Sequence, residues 1–155
     1  MSIVLPFEKR EKQVIVFIGI QASGKTTFYN RLLLDGYAHI SLDVLHTRNK
    51  ENLVMMDCLN NDSPFVIDNT NPEISDRKLY IQKAKEYGYH VIGIFFQSIV
   101  KDCVLRNEER EGKVPSKAIA CTSNKLQMPS KDEGFDELYF VRIINNDFEI
   151  STWRE

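Results

Sequence analysis

One stretch, Gly19-Ile20-Gln21-Ala22-Ser23-Gly24-Lys25-Thr26, constrains the fold more than any other. It follows an apolar run, Gln13–Ile18, and opens a segment read as a helix from Lys25 to Leu34, with Phe28, Leu32 and Leu33 at helical spacing. A buried strand, a glycine-bounded loop ending in Lys-Thr and a helix together make the context of a phosphate-binding loop. Gly19 and Gly24 let the backbone turn tightly and come close to a ligand. The loop N–H groups and the positive end of the helix then converge on one place suited to phosphate oxygens. Gln21, Ala22, Ser23 and Thr27 complete the cradle; Lys25 reaches the β- and γ-phosphates, and the Thr26 hydroxyl suits Mg²⁺.

The 155 residues read as a single domain over 1–155, long enough to bury a core. The longest apolar run, Val14 to Ile20, is too short to span a bilayer, and the N-terminus lacks the pattern of a signal peptide, so no membrane association is expected. Cys58, Cys103 and Cys121 are odd in number and outside any metal-ligand spacing. They read as buried small side chains in a reduced, cytoplasmic compartment. A net charge of −2 supplies no broad basic field for duplex nucleic acid.

Along the chain, apolar runs alternate with helical patterns. Residues 1–12 read as a solvated lead-in. Strands are expected at 13–18, 37–41, 65–67, 90–96 and 138–144. Helices are expected at 25–34, 43–60 with a polar break, 73–87, 99–110 and 116–126. The 43–60 segment draws its apolar positions from Val44, Leu45, Leu53, Val54, Met56 and Leu59; Tyr80, Ile81, Ala84 and Tyr87 form the stripe of 73–87, and Val100, Val104 and Leu105 that of 99–110. Residues 111–115 form a hinge-like loop, and 128–134 are irregular. The alternation predicts an α/β three-layer sandwich, a parallel sheet of about five strands with helices on both faces. Ligands bind such sheets at the carboxyl edge of the strands. That edge gathers the loop after strand one, Asp43 after strand two and Asp68 after strand three.

Asp43 can accept a proton from an acceptor hydroxyl, hold Mg²⁺ indirectly, or simply cap the helix after it. Asp68 opens Asp68-Asn-Thr-Asn-Pro72. It is a metal-side acid, an orienter of an arginine, or a turn residue. Arg106 and Arg110 share one helix face, either as part of a solvated charged helix or as lid arginines that stabilise developing charge. His39 and His90 fall in strands and read as structural.

Taken together, Gly19-x-x-x-x-Gly24-Lys-Thr-Thr-Phe28, Asp43, Val66-Ile-Asp-Asn-Thr-Asn-Pro72, Leu105-Arg-Asn-Glu-Glu-Arg110 and Val114-Pro115 resemble the kinase domain of 5′-polynucleotide kinases, over residues 13–144. The resemblance implies a P-loop kinase fold with a helical lid, ATP and Mg²⁺ as cofactors, and transfer of the γ-phosphate to the 5′-hydroxyl end of DNA or RNA. It assigns phosphate binding to Lys25 and Thr26, the general base to Asp43, support of the acceptor site to Asp68 with Asn69 beside it, and the lid contact to Arg110, with Arg106 second. Departures lie on the acceptor side. Leu42 stands where arginine is frequent before the base. His46 occupies the position of an acceptor-phosphate arginine, and Arg48, the nearest arginine but five residues after Asp43, would face another side of a helix. A small-molecule kinase for a sugar, nucleoside or metabolite is the alternative, and an ATP-binding regulatory module a third.

Overall fold

The computed structural model describes residues 3–32, 34–110 and 112–155. At its centre β1 (Gln13–Ile18) is buried at every position. On one side it pairs in parallel with β3 (Phe65–Ile67), Val14 opposite Phe65, and on the other with β4 (His90–Phe96), Val14 opposite Val91. β2 (Ala38–Ile40) extends the sheet beyond β3, and β5 (Glu137–Ile144) beyond β4, both parallel. The strand order is β2-β3-β1-β4-β5, with β6 (Asp147–Thr152) beyond β5. Strands covered on both faces read as continuous apolar runs, which is why these segments were legible.

Alternation along β1 divides the core into two layers. Val14, Val16 and Ile18 face a cluster holding Met55 and Leu59 of α3 (Arg48–Asn60) and Tyr80, Ile81 and Ala84 of α4 (Ile74–Glu86). Ile15 and Phe17 face the opposite cluster, with Phe28 and Leu32 at the end of α1 (Lys25–Arg31). Each such large apolar side chain contributes about 1.5–3 kcal/mol on burial. A third, smaller cluster of Ile20, Cys103 and Ile119 seats α5 (Val100–Glu109) and α6 (Ser116–Lys125) beside the phosphate loop.

Several expectations need correction. The sheet has six strands, because β6 (Asp147–Thr152) folds back antiparallel on β5 through Asn145 and Asn146, at φ 52° and 62°. Such a left-handed pair suits a two-residue hairpin turn. The 43–60 helix is two helices: α2 (Leu42–Leu45) ends at His46, φ 69°, and α3 restarts with the Thr47 side chain accepting from Lys50 N–H. Helix one stops at Arg31; Leu33, assigned to its stripe, lies outside the described residues, as does Glu111 of the hinge-like loop. Val44, Leu53 and Leu105 are exposed; α2 buries no side chain, α3 buries Met55 and Cys58 beside the expected Leu59, and α5 buries Cys103; Tyr87 is only half-buried. Cys121 is exposed while Cys58 and Cys103 are buried. The lead-in is solvated only in part: Phe7 is buried and packs tilted against the Tyr139 ring, with Ile3 and Leu5 alongside. Residues 131–133 form a short 3₁₀ turn inside the stretch read as irregular.

Candidate active site

Because β1, β2 and β3 run parallel and adjacent, the loops leaving their carboxyl ends open into one cleft of about 720 Å³. Gln21, Ala22, Gly24, Lys25, Thr26 and Thr27 of the phosphate loop line it, with Leu42, Asp43, Arg48, Asp68, Asn69, Arg106 and Arg110. Sequence positions 21 to 110 are thereby gathered around one space, including the loop, Asp43 and Asp68 that the strand-edge argument brought together.

The loop itself depends on its glycines. A Cβ on Gly19 would lie 2.7 Å from Ser23 Oγ and 3.0 Å from Phe96 Cβ. Gly24 sits at φ 101°, where L side chains are strained, and a Cβ there would meet Ile143 and Phe148 of the hairpin at 3.0 and 3.1 Å. Gly19 and Ser23 stand behind the cleft wall: Gly19 N–H donates to Thr70 O, and Ser23 is buried. The first turn of α1 leaves N–H groups without helical partners, which suits an anion.

Lys25 Nζ donates to the carbonyls of Gly19 and Ile20 at 3.0 Å each, which holds the side chain across the loop. Burial pulls its pKa down from the ordinary 10.5 to about 8, a shift opposed mainly by the charge of Asp68. A buried ammonium with two carbonyl partners and one free donor is matched to a polyanion.

Thr26 Oγ1 donates to Asp68 Oδ2 at 3.1 Å. The same oxygen meets His39 Nε2 at 2.8 Å, and the His39 ring stacks on Tyr29 at 3.9 Å. Asp68 is thus buried on the Thr26 side of the cleft, held by a hydroxyl and an imidazole rather than by an arginine. A hydroxyl and a carboxylate side by side form a donor set that fits Mg²⁺, which takes few protein oxygens and fills its shell with phosphate and water. His39, read as structural, instead supports this carboxylate. Among the described residues there is no cluster of three or more His, Cys, Asp or Glu suited to hold a metal by protein side chains alone.

Asp43 lies in the first turn of α2, exposed to the cleft and without a hydrogen-bond partner among the described residues; Ser41 occupies the N-cap position. The capping reading therefore gains no support. Asn69 Oδ1 accepts from Leu42 N–H at 2.9 Å, fixing the start of that turn. The break at His46 reverses the acceptor-side expectation: His46 is exposed and lies off the cleft wall, while Arg48, at the start of the next helix, lines it.

On the lid side, Arg106 Nη1 donates to Ala22 O at 3.1 Å, and Gln21 Nε2 donates to Thr122 Oγ1 at 2.9 Å, tying α5 and α6 to the phosphate loop. Arg110, the C-cap of α5, is exposed at the cleft. Asn107 stiffens the connection to α6 by exchanging two hydrogen bonds with Val114. Sequence reasoning missed the hairpin side of the cleft, where Arg31, Ile143, Asn146 and Phe148 line the wall next to Gly24 and Thr27. The Asn-Asn pair followed by alternating Phe148 and Ile150 was the available signal.

Comparison with known proteins agrees with this architecture. A bifunctional polynucleotide phosphatase/kinase from Schizosaccharomyces pombe is 32% identical over 136 residues, 83% of this chain and 33% of that protein. A putative bifunctional polynucleotide phosphatase/kinase from Acanthamoeba polyphaga mimivirus is 33% identical over 144 residues, 87% of this chain and 34% of that protein. The chain thus spans about a third of the length of these curated relatives. A gluconokinase structure from Sinorhizobium meliloti 1021 superimposes with a TM-score of 0.58 at 22% identity, covering 86% of this chain and 84% of that one, which speaks for the fold. The resemblance carried by the motifs is borne out by these relatives. An AAA domain model matches residues 14–129, most of the sheet, the phosphate loop and the lid, and the chain belongs to that family.

Proposed function

We propose that this chain is an ATP-dependent polynucleotide 5′-hydroxyl kinase, which moves the ATP γ-phosphate to the 5′-hydroxyl of a DNA or RNA end. One observation carries the reading. One cleft is lined by the phosphate loop, by Asp43, a carboxylate with no hydrogen-bond partner among the described residues, and by the arginine Arg48. The names of the two polynucleotide phosphatase/kinase relatives support the acceptor class.

In this reading the loop N–H groups and Lys25 hold the β- and γ-phosphates. Asp43 takes the proton of the acceptor hydroxyl as its oxygen bonds to the γ-phosphorus, and the bond from that phosphorus to the bridging oxygen of ADP breaks. Arg106 and Arg110 offset the charge on the transferring group. Thr26 and Asp68 are the residues that would hold Mg²⁺, whose contribution is to neutralise the triphosphate oxygens. Asp68 therefore moves from the acceptor side, where the motif placed it, to the metal side, and Asn69 alone of that pair keeps an acceptor-side role. Arg48 takes the phosphate that follows the terminal nucleoside. The nucleoside of ATP rests toward Ile143, Asn146 and Phe148, which adjoin the loop at Gly24.

The direct test incubates the protein with ATP, Mg²⁺ and a 5′-hydroxyl oligonucleotide. Phosphorylated ends above those of a Lys25→Ala control are expected; their absence sinks the reading. A small-molecule acceptor is the second reading, favoured by Glu73 and Asp76 on the cleft wall, whose carboxylates suit sugar hydroxyls better than phosphodiesters. Competing nucleosides and sugars against the oligonucleotide separates the two.

A further inference from the structure

Behind the acceptor edge lies a polar cluster that no motif announces. Glu51, in the first turn of α3, is only 4% exposed. Its Oε1 accepts from the Tyr80 hydroxyl at 2.6 Å and from Arg48 Nη1 at 3.1 Å, and its Oε2 accepts from Asn69 Nδ2 at 2.8 Å. Arg48 Nη1 also donates to the Tyr80 oxygen at 2.9 Å. Asn69 passes the constraint on through its Oδ1 to Leu42 N–H, one residue before Asp43. Neither Glu51 nor Tyr80 lines the cleft; Arg48, with its side chain 66% exposed, does.

Burying a carboxylate is an expensive route to stability, and well-packed apolar side chains of similar size serve as well or better. The hydrogen bonds of this carboxylate instead converge on two groups that face the cleft. One arm, with Tyr80, fixes one guanidinium nitrogen of Arg48 from behind and leaves the rest of its planar fork to bind outward. The other arm, through Asn69, fixes the turn that carries Asp43. A guanidinium held this way, beside a carboxylate free to take a proton, suits an acceptor whose hydroxyl has a phosphate ester nearby.

We propose that Glu51 is a positioning residue for the acceptor, setting Arg48 to bind a phosphate ester that neighbours the reacting hydroxyl. This rests on the polynucleotide kinase reading above. Glu51→Gln is the discriminating variant, because an amide of the same shape can satisfy only one arm. With its oxygen toward Tyr80 and Arg48, its NH₂ opposes the Asn69 NH₂; reversed, it opposes Arg48. It removes a buried charge without opening a cavity, so the fold is retained.

Acceptor and ATP KM are measured for the wild type, Glu51→Gln, Arg48→Ala and the double variant, with a 5′-hydroxyl oligonucleotide as acceptor. Each single variant is expected to raise the acceptor KM about tenfold, as loss of a charge-assisted contact does, with ATP KM unchanged. The double variant is expected to add little to either single one. Multiplying effects, or an equal rise in ATP KM, would overturn the proposal. If the wild type phosphorylates no oligonucleotide, the polynucleotide reading fails and the positioning role is judged separately by ¹⁵N relaxation of the Arg48 Nε–H. That group is expected to be ordered in the wild type and averaged in Glu51→Gln, and equal order in both would overturn the proposal.

Discussion

Lys25 shows how one residue links stability to ligand binding. Its ammonium is held where burial lowers its pKa to about 8, against 10.5 in the unfolded chain. Between those values the unfolded chain binds the proton more tightly. The burial penalty is therefore complete below about pH 8 and disappears as pH rises toward 10.5. Lys25→Met removes that penalty along with two hydrogen bonds, so the Tm of the variant minus that of the wild type should fall across this window, whatever its constant offset. A flat difference would show that the ammonium is not desolvated. The same proton makes ATP affinity weaken above about pH 8, where the phosphates must recharge the lysine. Asp43 makes a cleaner test, because among the described residues it has no hydrogen bond to lose. Asp43→Asn should lower transfer by at least about 10²-fold and leave ATP binding intact; a near-normal rate would assign the proton elsewhere. Among the lid arginines, Arg110→Ala should lower turnover more than Arg106→Ala. Arg106 braces Ala22, so its loss should also weaken ATP binding; the reverse ranking would exchange their roles.

Among the elements, the β5–β6 hairpin is the one the sequence hid. Its strands pair from Tyr139 opposite Thr152 to Ile144 opposite Asp147, and its inner face puts Phe148 edge-on to Phe28 at 5.2 Å. Arg31 lies over the other part of that ring, 5.2 Å from its centre. Phe148 thus seals the loop at Gly24 and borders the cleft. Phe148→Ala should weaken ATP binding several-fold and lower Tm; isothermal titration and thermal melts check both, and unchanged ATP affinity would remove the hairpin from the nucleotide site. Legibility followed burial. β1, β3 and β4 sit inside the sheet and carry uninterrupted apolar runs, so their limits were readable from the residues. β6 is an edge strand that alternates Phe148 and Ile150 with Asp147, Glu149 and Ser151, a pattern that reads equally well as a polar tail. A polar break within 43–60 was expected, but its place at His46 was hidden, since a left-handed histidine is a tertiary outcome rather than a propensity. Beyond that split Arg48 starts α3 and lines the cleft, which is why the proposed reading gives it the acceptor. The phosphate loop, by contrast, was legible because backbone geometry itself demands its glycines.

Across the whole molecule, charge sets what kind of acceptor the cleft can hold. The chain carries a net charge of −2, and the cleft wall holds cations and carboxylates together. In the proposed reading Lys25, Arg106 and Arg110 serve the donor phosphates and Arg48 the acceptor, while Arg31 and Lys125 also line the cleft. Glu73 and Asp76 put two carboxylates on the same wall. Single-stranded binding loses affinity with salt in proportion to the phosphates neutralised, with a slope of about −0.7 per phosphate. One acceptor-side arginine therefore predicts a slope near −0.7 for oligonucleotide affinity, well short of the steep dependence of a basic groove. Lengthening the strand beyond the first phosphodiester should bring little gain, because the carboxylates of Glu73 and Asp76 on the cleft wall oppose further phosphates. Measuring acceptor KM between 50 and 200 mM salt, for a dinucleotide and a long single strand, tests both points. A slope steeper than about −2, or a large gain with length, would mean that basic residues outside this cleft engage the strand, and that the acceptor is read as a polymer rather than as its terminal hydroxyl and nearest phosphate.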